Sequence, residues 1–552
     1  MSNTLTFGRL FFVATATLLV GVFSVAALAA DKTPEQLMTE AHEGRVVWQD
    51  FHGFTADIVA TADGKTAKGT IDVSPEGALT LSLEPASEVA WVERTLQSVV
   101  SHRLSDDGAI TNVEYADDDK NHPLGRLLKS KDPADKSLWR VKGDVLTEVH
   151  RNHGKTRFII SVAEVSRNAE GKHLPRSFVV TTWDNDTNAI TQSRQVYNEW
   201  KRFGKFDLPV RLLGMNAKSD GTRRVEEIKL SNHVVKAPKV GTVSIQELAP
   251  HKLTITSFGA AIADGYLYTY GGHLGAAHDY SHEQQSGELM RLNLAKPDAW
   301  ELVNEGPRRT GLALVAYQGK LYRIGGWESK NKKGEKWNLI SQADFARFDP
   351  KTGQWEELAP LPAGRSSHDA ALIGSKLYVV GGWNMQGESE GEWHEDAFVA
   401  DLADEKPEWK PIARPPFTRR AIAVASSNGK LYVIGGMDDS TETTNAVAVY
   451  DPQSNAWSEG PELPCKKLEG FGASAFAAQG TIYCAATSGK LFRLSNDAKQ
   501  WEEVGQLNKP RMSHRLVATE DGRLVAVGGT SRKSGKVTEV EAIEVKLTAA
   551  VK

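Results

Sequence analysis

The side chains best suited to chemistry lie in two sets of loops in the second half of the chain. Cations recur ahead of a series of similar apolar strands: Lys252, Arg308 and Arg309, Arg365, Arg419 and Arg420, Lys466 and Lys467, and Arg511. Two of these segments read Arg365-Ser366-Ser367-His368 and Arg511-Met512-Ser513-His514. The planar arginine fork suits carboxylates and phosphates, so a ring of such donors would hold an acidic or polyhydroxylated ligand. The same side chains would equally serve to bond neighbouring loops to one another. The second set of loops follows Gly-Gly pairs. One holds His273, His278 and His282 with Asp279 and Glu283, ligand types a transition metal uses, but polar loops gather them by chance and no metal is expected. Another holds Glu388, Glu390, Glu392, Glu395 and Asp396, an acidic rim rather than a calcium site. Trp327 and Trp383 directly follow glycine pairs, with Trp337 and Trp393 further along. Exposed indoles there would stack on sugars or anchor a protein; buried ones would fill space between elements.

What must position these loops is a repeated unit beginning near residue 258. It has an apolar strand, a polar turn, a second strand, Gly-Gly, a variable loop, an outer strand and a Trp. The second strands read Tyr266-Leu267-Tyr268-Thr269-Tyr270-Gly271-Gly272, Leu321-Tyr322-Arg323-Ile324-Gly325-Gly326 and Leu377-Tyr378-Val379-Val380-Gly381-Gly382. Further copies are Leu431-Tyr432-Val433-Ile434-Gly435-Gly436 and Leu524-Val525-Ala526-Val527-Gly528-Gly529. The copy Ile482-Tyr483-Cys484-Ala485-Ala486 carries alanines for the glycine pair. Partner tryptophans are Trp300, Trp355, Trp409, Trp457 and Trp501. Aromatic and β-branched residues suit a strand packed on both faces, glycines let the chain turn where no side chain fits, and the indole fills a wedge between sheets.

This pattern resembles the kelch repeat over roughly residues 245–547. The resemblance implies a six-bladed β-propeller spanning 241–547; the element pattern of the preceding residues 31–240 reads as an α+β domain with an antiparallel sheet, making the chain mainly β overall. The sixth copy has a strand at Glu541-Ala542-Ile543-Glu544-Val545 but no outer strand after it. Val243 to Pro250 is expected to supply that strand and close the ring. In a four-strand meander the loop entering the innermost strand and the loop after Gly-Gly share one face. A ligand pocket is therefore expected on that face, at the mouth of the central channel. Its candidate residues are Lys252, Arg308, Arg309, Trp327, Arg365, His368, Trp383, Arg419, Arg420, Arg511 and His514.

Two enzyme families with kelch propellers bear on the reading. Galactose-oxidase-like enzymes need copper held by tyrosines and histidines, with one tyrosine crosslinked to a cysteine; neither Cys465 nor Cys484 sits in such a setting. Periplasmic sialic-acid mutarotases are similar in blade number and export, and use acid–base side chains with an arginine for the substrate carboxylate. No specific motif of theirs can be matched here. No phosphate loop, nucleophile elbow or zinc helix is present in the first half, and no cofactor is expected.

Residues 31–240 lack the repeat. Thr33-Pro34-Glu35-Gln36 begins a short helix to about Glu43, and Val89 to Leu104 reads as a second. Strands are expected at Phe54–Thr61, Thr66–Val73, Ala78–Glu84, Asp144–Val149, Arg157–Val165, Ser177–Trp183 and Ala189–Asn198, then near Val210–Met215 and Arg223–Leu230. The stretch from Ala116 to Lys136 reads as an exposed loop. The segment resembles a bacterial domain family of unknown function, with a looser likeness to curved-sheet carriers of lipoproteins. Lipid handling would require an apolar cavity lined by the strands between Phe54 and Glu84.

Before Asp31 the only charged side chain is Arg9, and an apolar run ends in Ala27-Leu28-Ala29. This is the pattern of a secretory signal, so export to the periplasm or outside is expected, with membrane attachment only if residues 1–30 stay uncleaved. Cys465 and Cys484 would either pair after export or remain buried thiols. With 552 residues, 40% hydrophobic, there is material for two or three cores, and a net charge of -4 gives no reason to expect nucleic acid. The expected function is an exported cell-envelope binding or scaffolding protein recognising a protein or carbohydrate, with enzymatic activity left open. The alternatives are a carbohydrate-modifying enzyme of the mutarotase or epimerase type and a lipid-handling first domain. Oligomeric state is not fixed by any residue pattern.

Overall fold

The computed structural model describes residues 32–104, 110–532 and 534–548. The leader expected at residues 1–30 lies outside them. No helix among the described residues is long and apolar enough to cross a membrane.

Helix α1 (Pro34–Glu43) starts on a capping box. The Thr33 hydroxyl accepts from the Gln36 N–H and the Gln36 side chain accepts from the Thr33 N–H, pairing two donors that the first turn leaves open. Twelve strands follow in chain order: β1 (Phe54–Ala62), β2 (Lys65–Val73), β3 (Leu79–Glu84), β4 (Val113–Tyr115), β5 (Arg126–Ser130), β6 (Leu138–Lys142), β7 (Val145–His153), β8 (Thr156–Arg167), β9 (His173–Asp184), β10 (Ile190–Phe203), β11 (Phe206–Lys218) and β12 (Arg223–Val235). They form one antiparallel sheet in the order β3-β2-β1-β12-β11-β10-β9-β8-β7-β6-β5-β4. The stretch expected as a loop from Ala116 to Lys136 instead contains β5. Its Leu128 is fully buried, an apolar core hidden in the sequence by polar flanks.

Two compact units divide the described chain. One comprises residues 32–46, 110–196 and Asn216–Arg223, in which Leu37, Met38 and Ala41 of α1 pack with Val113, Leu128 and Trp139. The other takes in 47–104, Tyr197–Met215 and the described residues from Arg224 onward. In it, β1 buries every second residue, and helix α2 (Val89–Ser101) lies along β3 with Trp91, Val92, Leu96 and Val100 inside. Phe54, Ile58, Ala60, Ile71, Val73 and Leu83 are at most 5% exposed.

From Gly241 the chain builds six four-stranded sheets around a closed circle, each innermost strand touching the next. Blade 1 is Gly259–Ala263, Tyr266–Tyr270, Glu288–Asn293 and Trp300–Glu305; blade 2 is Ala313–Tyr317, Lys320–Ile324, Phe345–Asp349 and Gln354–Glu357. Blade 3 is Asp369–Ile373, Lys376–Val380, Ala397–Asp401 and Lys410–Pro411; blade 4 is Ala423–Ser427, Lys430–Ile434, Val447–Asp451 and Ala456–Gly460. Blade 5 is Ser474–Ala478, Thr481–Ala485, Lys490–Leu494 and Trp501–Gln506. Blade 6 has Arg515–Ala518, Leu524–Val527 and Val540–Leu547, and its outer strand is Gly241–Leu248 from the other end of the repeats.

The ring is pinned at one end of the channel by a closed circle of six backbone hydrogen bonds. The N–H of Gly311 donates to Ser257 O (2.6 Å), Ser367 to Gly311 (2.8 Å) and Ala421 to Ser367 (2.7 Å). Gly472 donates to Ala421 (3.0 Å), Ser513 to Gly472 (2.8 Å) and Ser257 to Ser513 (3.0 Å). The residue after each of these positions wedges between two blades, which explains the glycine pairs. At Gly381 (φ 69°) a Cβ would lie 2.7 Å from Ile422 Cδ1 of the next blade; at Gly382 (φ 89°) it would lie 2.8 Å from His368 Cβ of its own. In blade 5 the second strand ends at Ala485, so the places of the glycine pair fall to Ala486 and Thr487 rather than to Ala485-Ala486. The wedge there is the small Ala473, and the chain turns tightly through the Gly489 N–H to Ala486 O bond of 2.9 Å.

The tryptophans do more than fill volume. Trp300, Trp409, Trp457 and Trp501 each donate Nε1–H to a carbonyl in the connection leading into their own blade: Ala249, Ala359, Ala413 and Pro461, at 2.7–3.1 Å. Cys465 and Cys484 are free, sharing an apolar cluster at 3% and 0% exposure. Burial pushes the Cys484 thiol up to about 12 and raises Cys465 strongly. Both should resist an aromatic disulfide reagent in the native protein at pH 8 and react only as it unfolds; immediate labelling of either would contradict this packing.

Candidate functional site

Four arginines share one repeated place, two residues before the ring of backbone bonds, and the structure turns them inward. Arg365 Nη1 donates to Gly381 O (2.8 Å) and Asp396 O (3.2 Å). Arg419 does the same to Gly435 O and Ala446 O (both 2.9 Å), and Arg511 to Gly528 O (3.2 Å) and Glu539 O (2.9 Å). In each case the acceptors are the carbonyl of the blade's first glycine and the carbonyl just ahead of its third strand. One guanidinium thus ties both ends of the loop after Gly-Gly. Arg309 holds the place in blade 2 and pairs with Glu328 and Asp344 (both 3.3 Å). Each of the four thus spends guanidinium donors on carbonyls or carboxylates of its own blade.

The remaining cations stand elsewhere. Lys252, Lys466 and Lys467 are exposed and off the repeated place, which in blades 1 and 5 is Ile255 and Gly470. Arg308 is half-buried and donates to His282 O at 2.7 Å. Burial lowers Arg419 to about 10. The His394 hydrogen bond, with Arg365 beside it, holds the Asp396 carboxyl at about 2 against an ordinary 3.8. A carboxyl depressed on folding contributes stability above its unfolded value and loses it as pH falls, here between about 4 and 2. Asp396→Asn should therefore flatten the loss of melting temperature across that window; an unchanged acid limb would deny Asp396 this role.

His273, His278 and His282 are not gathered. His273 is buried with Nε2 at 2.9 Å from Asp279 O, whereas His278 and His282 are exposed. No cluster of metal-ligating side chains is assembled among the described residues. The acidic rim is largely paired: Glu388 with Lys336 (2.6 Å), Glu395 with Arg414, and Asp396 with Arg365.

The long loops of blades 2 and 3 join into a sheet of their own, built from Trp327–Ser329, Leu339–Ser341, Trp383–Gly387 and Ser389–Trp393. Trp327, Leu339 and Met385 form its small core. Tyr280 from blade 1 meets Trp327 and Trp337 edge-on, at 5.3 and 5.1 Å between ring centres. The Arg420 guanidinium lies 4.4 Å from the Trp383 ring and 5.3 Å from that of Trp393. Among the described residues no carboxylate is within ion-pair distance of Arg420, and its Nε has no partner. Trp337 is 46% exposed. One side of the loop face therefore carries an aromatic wall with an uncompensated cation set in it.

Below the ring of backbone bonds lies a cavity of about 60 Å³ lined by Ser257, Ser367, Ser513, His368, His514 and Arg515, among others. Arg515 of blade 6 crosses the channel. Its Nε donates to Phe258 O (2.9 Å) and Nη2 to Leu312 O (2.9 Å), while Nη1 meets Asp369 Oδ1 (2.8 Å). Asp369 Oδ2 in turn accepts from the Val424 N–H (3.0 Å). This strut joins blades 6, 1, 2, 3 and 4, and neither Asp369 nor Arg515 is among the residues singled out from sequence. The signal was present: the equivalent places hold Gly259, Ala313, Ala423 and Ser474, so only these two bear charge.

Six meander blades, five of them with glycine pairs, together with inter-blade tryptophans and loop-fastening arginines define the C-terminal half as a kelch propeller. Residues 308–362 match the Kelch motif and 344–486 the KLHDC2/KLHL20/DRC7 Kelch-repeats domain, while residues 29–235 match the family described as protein of unknown function DUF3386. Kelch repeat and BTB domain-containing protein 12 of Danio rerio is 25% identical over 38% of this chain and 34% of its own length. Kelch-like protein 36 of Mus musculus is 31% identical over 33% of this chain and 29% of its own. The chain spans about a third of the length of the curated relatives it matches. Among solved structures, YjhT aligns with a TM-score of 0.44 and 17% identity, over 55% of this chain and 99% of that one.

Proposed function

We propose that the propeller is the recognition module of an exported cell-envelope protein, and that it takes a protein partner on the face bearing the aromatic wall. The observation that carries this is Arg420, stacked on Trp383 and Trp393 without a carboxylate, in a loop face that also exposes the indole of Trp337 against Tyr280. Aromatic and arginine side chains are the residues that interfaces concentrate at their centres. The kelch proteins among the relatives support a protein as the partner, and the leader pattern of residues 1–30 supports export.

A photo-crosslinking residue in place of Trp337, expressed in the native cell, tests the reading. The expected result is a discrete protein adduct that disappears when Arg420→Ala is added. No adduct, together with a thermal shift by acidic sugars that Arg420→Ala abolishes, would put a carbohydrate in the partner's place. Recovery of a chain beginning near Asp31 from the envelope fraction would agree with export; a full-length cytoplasmic chain would refute it.

A further inference from the structure

We infer that the protein partner docks by one acidic side chain, an Asp or Glu among apolar neighbours, whose carboxylate caps the Arg420 guanidinium. This rests on the reading above, that the aromatic wall takes a protein. The fold itself does not call for arginine there. Arg420 stands one residue ahead of the ring of backbone bonds, and the same place in the other blades holds Thr256, Thr310, Ser366, Phe471 and Met512.

Nor is its charge met within the propeller. Among the described residues its one side-chain hydrogen bond runs from Nη2 to the Met437 thioether at 3.4 Å, a weak acceptor. Acids close in sequence are engaged or turned away. Glu395 pairs with Arg414 and Asp396 with Arg365, while Asp438 Oδ1 accepts from the N–H groups of Ser440 and Glu442. Glu392 precedes Trp393 on its strand and therefore points to the other side of the hairpin. Burial holds Arg420 below the ordinary arginine value, as expected of a cation short of counter-charge.

The surroundings select the ligand. Trp383 and Trp393 are paired across their hairpin with ring centres 5.9 Å apart, and both lie against the guanidinium. Nε is enclosed, so the edge left open is the one formed by Nη2 and the unpartnered Nη1. That edge matches the two oxygens of a carboxylate through parallel N–H···O bonds. The indoles around it suit apolar flanks on the partner. A polyanion is disfavoured, because Glu392 and Glu395 stand within two residues of Trp393. Tyr280 links this edge to Trp337: it meets that ring at 5.1 Å, and Arg420 opposes the upward push of burial on its phenol.

The test compares photo-crosslinking from position 337 in the chain with its native arginine and in Arg420→Met. Methionine keeps the apolar stem and is the residue blade 6 carries at this place. Mass spectrometry maps the crosslinked segment of the partner, where an Asp or Glu is expected. Adduct yield should fall about tenfold or more in Arg420→Met and be partly kept in Arg420→Lys. Arg420→Glu should abolish the adduct, and changing the mapped acid of the partner to Lys should restore it. Arg420→Gln gives the same comparison should Met disturb folding. A segment without Asp or Glu, an equal adduct in Arg420→Met, or a charge swap that restores nothing overturns the carboxylate while leaving a protein on the wall. No adduct with the native arginine removes both readings.

Discussion

Arg515→Met should lower the stability of the propeller by about 3–5 kcal/mol, the usual effect of removing one partner from a buried, hydrogen-bonded ion pair. The arginine is the hub of the channel strut. Its loss leaves the Phe258 and Leu312 carbonyls without their donor and leaves Asp369, 6% exposed, as an uncompensated charge with only the Val424 N–H. Urea unfolding followed by tryptophan fluorescence reads the effect, since nine of the fourteen indoles lie between Trp300 and Trp501, in the blades and their loops. Adding Asp369→Asn to the variant should recover part of the loss, because the stranded charge is removed. A midpoint within about 0.5 kcal/mol of wild type would mean that the pair is water-screened and that the ring of backbone bonds suffices to hold the channel.

Arg511→Leu should be as severe, in the absence of any ligand. The guanidinium contacts Glu541 at 3.2 Å with both side chains at 0% exposure, and burial raises the Glu541 carboxyl above its ordinary value despite the arginine. Without Arg511, the loop after Gly528-Gly529 loses two fastenings and Glu541 must either ionise in an apolar setting or carry a proton. A loss of about 3–5 kcal/mol is expected, and the double variant Arg511→Leu, Glu541→Leu should recover most of it by replacing the pair with apolar volume. Were Arg511 instead a ligand donor, the single variant would melt like the wild type and differ only in binding.

The propeller was legible because its repeat writes the same constraints six times. A Leu-Tyr-Val-Ile strand followed by glycines has one reading when it recurs, and the capping box at Thr33 and the alternation along β1 are similarly local signals. What stayed hidden depended on where side chains end rather than on what they are. Arg365 has the same type whether it faces a ligand or the carbonyl of Gly381, and a carbonyl leaves no trace in sequence. Arg515 meets Asp369 across 146 residues, a pairing no local pattern announces. The short strands β4, β5 and β6 carry too few apolar residues to alternate visibly. In blade 5 the register slipped by one residue because Ala485-Ala486 imitates a glycine pair whose real places fall to Ala486 and Thr487. Trp327 and Trp337 share a loop, yet one is buried at 6% and the other open at 46%, a difference set by the hairpin that separates them.

The seam of the ring has a directional weakness. Gly241 lies opposite Leu547 and Leu248 opposite Val540, so the chain enters and leaves the closing pair at the same end. Tension applied between those two points strains a single rung of the ladder at a time and peels the strands apart from Gly241 inward. Tension applied from Leu248 against Leu547 would instead slide the pair lengthwise and load every rung together. A modest pull between Gly241 and Leu547 should therefore unbutton blade 6 before the other blades are disturbed.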